Sequence, residues 1–171
     1  QGGDEFETTA DSLTVEKIDG LLKDLNVSSV QEGITAEKLY RSNKVPFAFN
    51  YIDASLRVDH NDANGSDHGT HVAGIAAANR ISATSISGVA PDAQLVIMKV
   101  FGNRGGAYFS DIMAAMEDAI RLGCDSINIS IGSAAGFTND EEEIQEVFAR
   151  ICDTDVVVAV AAGNDYNAGY G

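Results

Sequence analysis

Tryptophan is absent, and cysteine and proline are scarce, with two of each in 171 residues. Two cysteines cannot build a disulfide framework. Cys124 and Cys152 each precede an apolar run, and that placement predicts small, buried, free thiols rather than reactive ones. Basic residues are few as well: 11 Lys and Arg stand against 26 Asp and Glu, a net charge of −15. Such a surplus of negative charge excludes nucleic acid and anionic membrane surfaces as expected partners, and solubility accounts for it. No apolar run is long enough to span a bilayer, so no membrane span is expected in this chain. The start, Gln1-Gly2-Gly3-Asp4, is polar and acidic and does not read as a secretory leader. It suits a cytosolic chain, or one processed or cut from something longer. There is no internal repeat. With 44% hydrophobic residues, the chain has the means to bury a core.

The stretch around which the rest is organised is Asp67-His68-Gly69-Thr70-His71-Val72-Ala73-Gly74. Asn64-Gly65 before it is a strong turn signal, and Val72 to Ala78 after it is apolar and small. His68 is therefore expected in the first turn of a buried helix. Exposed backbone N–H groups and the positive end of the dipole disfavour an imidazolium there, and a neutral imidazole is what a general base needs. The glycines beside it suit close approach of a second backbone or a substrate.

Along the chain, Thr14 is placed to cap a helix with Val15, Ile18, Leu22 and Leu25 on one face, with Gly20 weakening its middle. A second short helix is expected from Thr35, carrying Ala36, Leu39 and Tyr40. Residues 1–44 show no catalytic constellation and read as a helical surface segment, with residues 45–171 as the main body. Residues 45–51 read as an alternating strand, with Pro46 placing it at a sheet edge. The histidine helix follows, to about Asn79. Residues 93–100 form a nearly continuous apolar run, typical of a strand buried on both faces. Ser110 is expected to cap a helix with Ile112, Met116, Ala119 and Ile120 inward, stopped at Gly123. Residues 126–131 and 156–162 read as two more strands. Between them a helix opens near Asn139 and Asp140, with Ile144, Val147, Phe148 and Ile151 on its apolar face. Strands alternating with helices predict an α/β fold, a parallel β-sheet with helices on both faces. Ligands of such sheets bind at the carboxyl ends of the strands, here residues 102–106, 130–132 and 163–164.

The run His68 to Ile75, HGTHVAGI, resembles the histidine motif of the subtilisin-like serine proteases. Ala161-Ala162-Gly163-Asn164 resembles the segment whose asparagine supplies the side-chain donor of their oxyanion hole. Residues 126–132, SINISIG, resemble one wall of the primary specificity pocket, and Lys99-Val100-Phe101-Gly102 with Gly105-Gly106 the second substrate-pairing segment. The resemblance covers roughly residues 45–171. It implies a subtilisin-like fold, of which this would be the N-terminal part of the catalytic domain, and hydrolysis of peptide bonds in proteins. It assigns His68 as general base and Asn164 as oxyanion donor, with Gly105, Gly106, Ala107, Ser130, Ile131 and Gly132 binding the peptide backbone. His71 falls on the motif's second, structural histidine. The polar region before His68 resembles the lactocepin-like cell-envelope branch, which implies a secreted or envelope-attached protein.

Two departures from the family pattern stand out. The nucleophile of these enzymes lies in a Gly-Thr-Ser-Met segment, and no serine here has that context. Their triad aspartate lies in an Asp-Thr/Ser-Gly pattern at the end of an apolar strand, and no such pattern occurs. The expectation is an incomplete catalytic domain, inactive alone, whose partners are a peptide or protein substrate and the remaining part of the same domain. The rival is a non-catalytic peptide-binding α/β module derived from the same fold. A metal reading of His68 and His71, with Asp59, His60, Asp62 and Asp67 nearby, is disfavoured: Gly69 and Thr70 stand where a helical zinc pair usually has a glutamate base. No metal and no cofactor is implied.

Overall fold

The computed structural model describes residues 6–59, 67–102, 106–132 and 142–164, apart from the side chains of 142–144 and 148. The chain divides into two units, Gln1–Leu122 and Gly123–Gly171.

In the first unit, Thr14 caps α1 (Val15–Leu21), its hydroxyl accepting from the Lys17 N–H. The helix then tightens into a 3₁₀ turn, Leu22–Asp24, instead of running on. Ile18 and Leu25 are buried as their spacing predicts. Two single-turn helices follow, α2 (Val27–Val30) and α3 (Ala36–Leu39), the second opening after Thr35 as expected. These short pieces cannot hold themselves together, and side chains from farther along the chain anchor them. Gln94 accepts from the Leu13 N–H at 2.7 Å and donates to the carbonyls of Leu13 and Asn43. Lys44 is fully buried, with its ammonium donating to the Pro91 and Ala93 carbonyls and lying 4.9 Å from the centre of the Phe6 ring. Burial pushes its pKa below the usual lysine value, and the negative charge of Asp92 opposes that shift.

The strongest anchor is Asp118, fully buried on α5 (Phe109–Arg121). Its carboxylate accepts from the backbone N–H groups of Asn26 at 2.6 Å and Val27 at 3.0 Å, and from the Tyr51 hydroxyl at 2.8 Å. Arg121 lies 3.4 Å away. Asp118 thus caps α2 from a distant helix, because the Asn26 side chain points instead to the Ala114 carbonyl and Glu117. Ile112, Met116 and Ala119 of α5 are buried as predicted, while Ile120 is half-buried. The N-cap is Tyr108, not Ser110.

Strand β1 (Phe47–Asn50) pairs in parallel with β2 (Val96–Lys99), Phe47 opposite Val96 and Asn50 opposite Lys99. The helix α4 (His68–Ala77) lies in the crossover that joins them. Two expectations change here. β1 does not alternate: all four residues are fully buried, and Asn50 satisfies its amide with Asp53 and the Arg57 carbonyl. β2, read as buried on both faces, is half-buried throughout.

In the second unit, β3 (Ser126–Ile129) pairs in parallel with β4 (Val157–Val160), joined through α6 (Glu142–Cys152). Val147 and Ile151 of α6 are buried. Asn139 and Asp140 lie outside the described residues. β4 is open to solvent, with Val157 66% and Val160 64% exposed, although its apolar run reads as a buried strand.

Both cysteines are free, as expected, but only Cys124 is partly buried; Cys152 is exposed at the end of α6. Burial, with the neighbouring Asp125 charge, pushes the Cys124 thiol up to about 11 from 9.0. A thiol-specific reagent at pH 8 is therefore expected to titrate one thiol, Cys152, quickly and the second only after unfolding. Between pH 9 and 11 the folded state keeps the Cys124 proton that the unfolded chain gives up. Stability is thus expected to fall as pH rises through that window, by up to about 1.4 kcal/mol per pH unit.

Candidate active site

His68 is the first residue of α4, and the Asp67 carbonyl accepts from the His71 N–H one turn on. Both histidines are exposed. The helix is not buried as its composition predicts: only Ala77 is buried, and Ile75 is 70% exposed. A Cβ at Gly69 or Gly74 would meet nothing within 4 Å, so no described backbone uses the approach that these glycines permit.

The carboxyl end of α4 is what holds it in place. The return segment 88–90 packs its backbone N–H groups on the last turn. Val89 N–H donates to the Ile75 carbonyl at 3.0 Å, Ala90 N–H to Ala76 at 2.8 Å and Gly88 N–H to Ala78 at 2.8 Å. Three carbonyls that the helix leaves without partners are satisfied this way. Asn79 then donates to the Pro91 carbonyl that also receives Lys44, tying the helix end to the base of β1. The clamp needs glycine at 88, because a Cβ there would stand 2.5 Å from the backbone nitrogens of Ala77 and Ala78. Gly88→Ala is expected to destabilise the first unit by about 2–3 kcal/mol, read by chemical denaturation followed by circular dichroism.

At the end of β2, Gly102 N–H donates to the Gly106 carbonyl at 3.0 Å. Gly106 is exposed and Ala107 half-buried, while Gly105 lies outside the described residues. At the end of β3, Ser130 and Ile131 are half-buried and Gly132 is exposed. The pairing of β4 continues one residue further, Ala161 N–H donating to the Ile129 carbonyl. Gly163 then turns with φ 84°, a conformation that favours glycine, and Asn164 is exposed past the strand end. His68, Gly106 and Ala107 belong to the first unit; Ser130, Ile131, Gly132 and Asn164 belong to the second. Among the described residues, no three His, Cys, Asp or Glu side chains form a group able to hold a metal ion. His60 and Asp62 lie outside them.

Three residues that organise these surroundings were not picked out from sequence. Asp118 occupies an inward position on α5, and an acid on an apolar helix face is the signal that marks it. Gly88 has no signal beyond its being glycine. Asn128 lies between Ser126 and Ser130, a polar alternation within an otherwise Ile-rich strand.

Comparison with known proteins supplies what geometry alone does not. A family model described as the subtilase family matches residues 23–171. The PI-type proteinase of Lactococcus lactis subsp. cremoris is 35% identical over 136 residues, 76% of this chain but 7% of that protein. Subtilisin E of Bacillus subtilis (strain 168) is 40% identical over 107 residues, 62% of this chain and 26% of that protein. Among solved structures, a mutant of the protease domain of PatA superposes with a TM-score of 0.54 at 29% identity, covering 63% of this chain and 39% of that one. The Clostridium perfringens CspB protease gives 0.51 at 25% identity, over 74% and 28%. The fold is thus subtilisin-like α/β, and the chain spans well under half the length of these relatives.

Proposed function

The chain belongs to the subtilase family, and from that premise we propose that it forms part of the catalytic domain of a serine endopeptidase acting on peptide bonds in proteins. The family match carries this reading, because its bounds take in the helix that His68 opens and Gly163-Asn164. In the proposed reaction, His68 removes the proton from a serine hydroxyl as its oxygen bonds to the scissile carbonyl carbon. The Asn164 amide donates to the oxygen that becomes negative. The tetrahedral species collapses when His68 returns the proton to the leaving amine, and water then repeats the sequence on the acyl-enzyme. Gly105, Gly106 and Ala107 on one side and Ser130, Ile131 and Gly132 on the other would pair with the backbone of an extended substrate.

The nucleophile and the orienting aspartate belong, in this reading, to other segments of the parent chain. Two exposed apolar surfaces support that. One lies on and after α4, where Ile75, Ile81, Ile86 and Val89 are each at least 70% exposed; the other is the face of β4 that carries Val160, 64% exposed. Such surfaces are expected to be covered by the rest of the domain. Secretion or attachment to the cell envelope follows the likeness to the lactococcal proteinase.

The test is labelling by an active-site phosphonate. The full-length parent should label on a serine outside residues 1–171, and the 171-residue chain alone should not label. A parent that stays unlabelled and cleaves no protein would overturn the reading and leave the peptide-binding module in its place.

A further inference from the structure

β3 is unusual for a parallel strand. Strands buried on both faces are apolar throughout. Here Ser126 and Asn128 are exposed while Ile127 and Ile129 are half-buried, so one face of the strand is polar and open. Their partners across the ladder, Val157 and Ala159, are exposed too. This open face leads to the carboxyl end of the strand, where ligands of parallel sheets bind. Two residues on, the same face brings Ser130 level with the strand end. The Asn128 side-chain amide donates to the Ser130 hydroxyl oxygen at 2.8 Å.

We infer that Asn128 is a positioning residue for peptide binding: by donating to Ser130 Oγ it leaves the Ser130 O–H to donate to a backbone carbonyl of an extended peptide lying along the end of β3. The inference rests on the proteolytic reading for the nature of the ligand, but its geometry lies wholly within the second unit. The chemistry follows from the hydroxyl's inventory of one donor and two acceptor lone pairs. A neighbour that donates fills a lone pair and keeps the proton available. A neighbour that only accepts captures the proton instead. Asn and Asp have the same shape and differ in this respect, so the inference distinguishes them. Asn128→Ala frees the hydroxyl to rotate, whereas Asn128→Asp turns its proton away from the peptide.

The test uses the full-length parent carrying His68→Ala, which does not turn over, and fluorescein-labelled oxidised insulin B chain as the probe in an anisotropy titration. Asn128→Ala is expected to weaken binding about 3–10-fold, the worth of one neutral hydrogen bond, and Asn128→Asp at least as much. Ser130→Ala should weaken binding similarly, and Asn128→Ala should add little to it, because both changes remove one interaction. Circular dichroism of all variants should match the parent. The inference is overturned if Asn128→Ala binds like the parent, if its effect persists in full on Ser130→Ala, or if Asn128→Asp binds as tightly as Asn128. Phosphonate labelling of the parent with His68 intact separates the two ideas. A labelled parent with Asn128-independent binding sinks this inference alone. An unlabelled parent whose binding still depends on Asn128 sinks proteolysis and sustains the inference.

Discussion

His68→Ala in the full-length parent is expected to lower kcat by about 10⁴-fold or more with KM little changed, a scale established on triad proteases, subtilisins included, rather than derived from this chain. The direction follows from the proton inventory. A serine hydroxyl at neutral pH is a poor nucleophile unless a base takes its proton as the bond to carbon forms. Alanine removes both that base and the acid that later protonates the leaving amine. Binding of the peptide backbone uses strand ends and loops instead, which is why KM should hold. Because His68 is exposed and the anchoring of α4 lies at its other end, in segment 88–90, the substitution should leave the circular dichroism spectrum unchanged. A steady-state assay on a chromogenic peptide reads the result. A loss of less than about tenfold in kcat would remove His68 from the role of general base, since such a base contributes roughly 10²–10⁴-fold by proton transfer alone.

Asp118→Ala is expected to cost about 3–5 kcal/mol of stability in the first unit, the range for deleting one partner of a buried charged network. The carboxylate serves three donors at once, the buried Val27 N–H and Tyr51 hydroxyl and the part-buried Asn26 N–H. Alanine leaves all three without that acceptor, and the two buried ones each carry a desolvation cost of about 1–3 kcal/mol. Asp118→Asn keeps one acceptor oxygen and should lose about half as much. Urea denaturation followed at 222 nm reads both, since the chain has no tryptophan to report by fluorescence. A cost below about 1 kcal/mol for alanine would mean that water or rearrangement satisfies those donors. The N-terminal helices should be the first part to loosen, because α2 and α3 are four residues each and depend on such anchors.

The order of elements was legible in the sequence because each depends on local physics. Thr14 and Thr35 open helices because a threonine before an apolar-periodic run satisfies orphan N–H groups or suits the extended N-cap backbone. The face Ile112, Met116 and Ala119 is buried because 3.6-residue periodicity puts those side chains on one side. β1 pairs with β2 and β3 with β4 in parallel, as strands joined by helical crossovers must. The HGTHVAGI run placed His68 at a helix start for the same local reason, a turn-rich stretch ending where small apolar residues begin.

Burial was read less well, and for one physical cause. Apolar composition records that a surface is to be covered, not what covers it. α4 and β4 are apolar enough to sit inside a domain, yet Ile75, Val157 and Val160 are exposed among the described residues. Cys152 was expected to be buried on the same logic and is not. Asp118, Gly88 and Asn128 escaped notice because their roles exist only across distance. A carboxylate 92 positions from its first donor, a glycine pressed on a helix end and an amide aimed at a hydroxyl two residues on leave no periodic signature. Motif and periodicity are properties of neighbours along the chain, so the family, the succession of helices and strands and the start of a helix at His68 could be read there, with His68 and Asn164 marked as candidates. Which polar groups anchor the N-terminal helices, what clamps α4 and how the Ser130 hydroxyl is held emerge in the folded chain alone, because those contacts form between segments, or between side chains, whose meeting the order of residues does not encode.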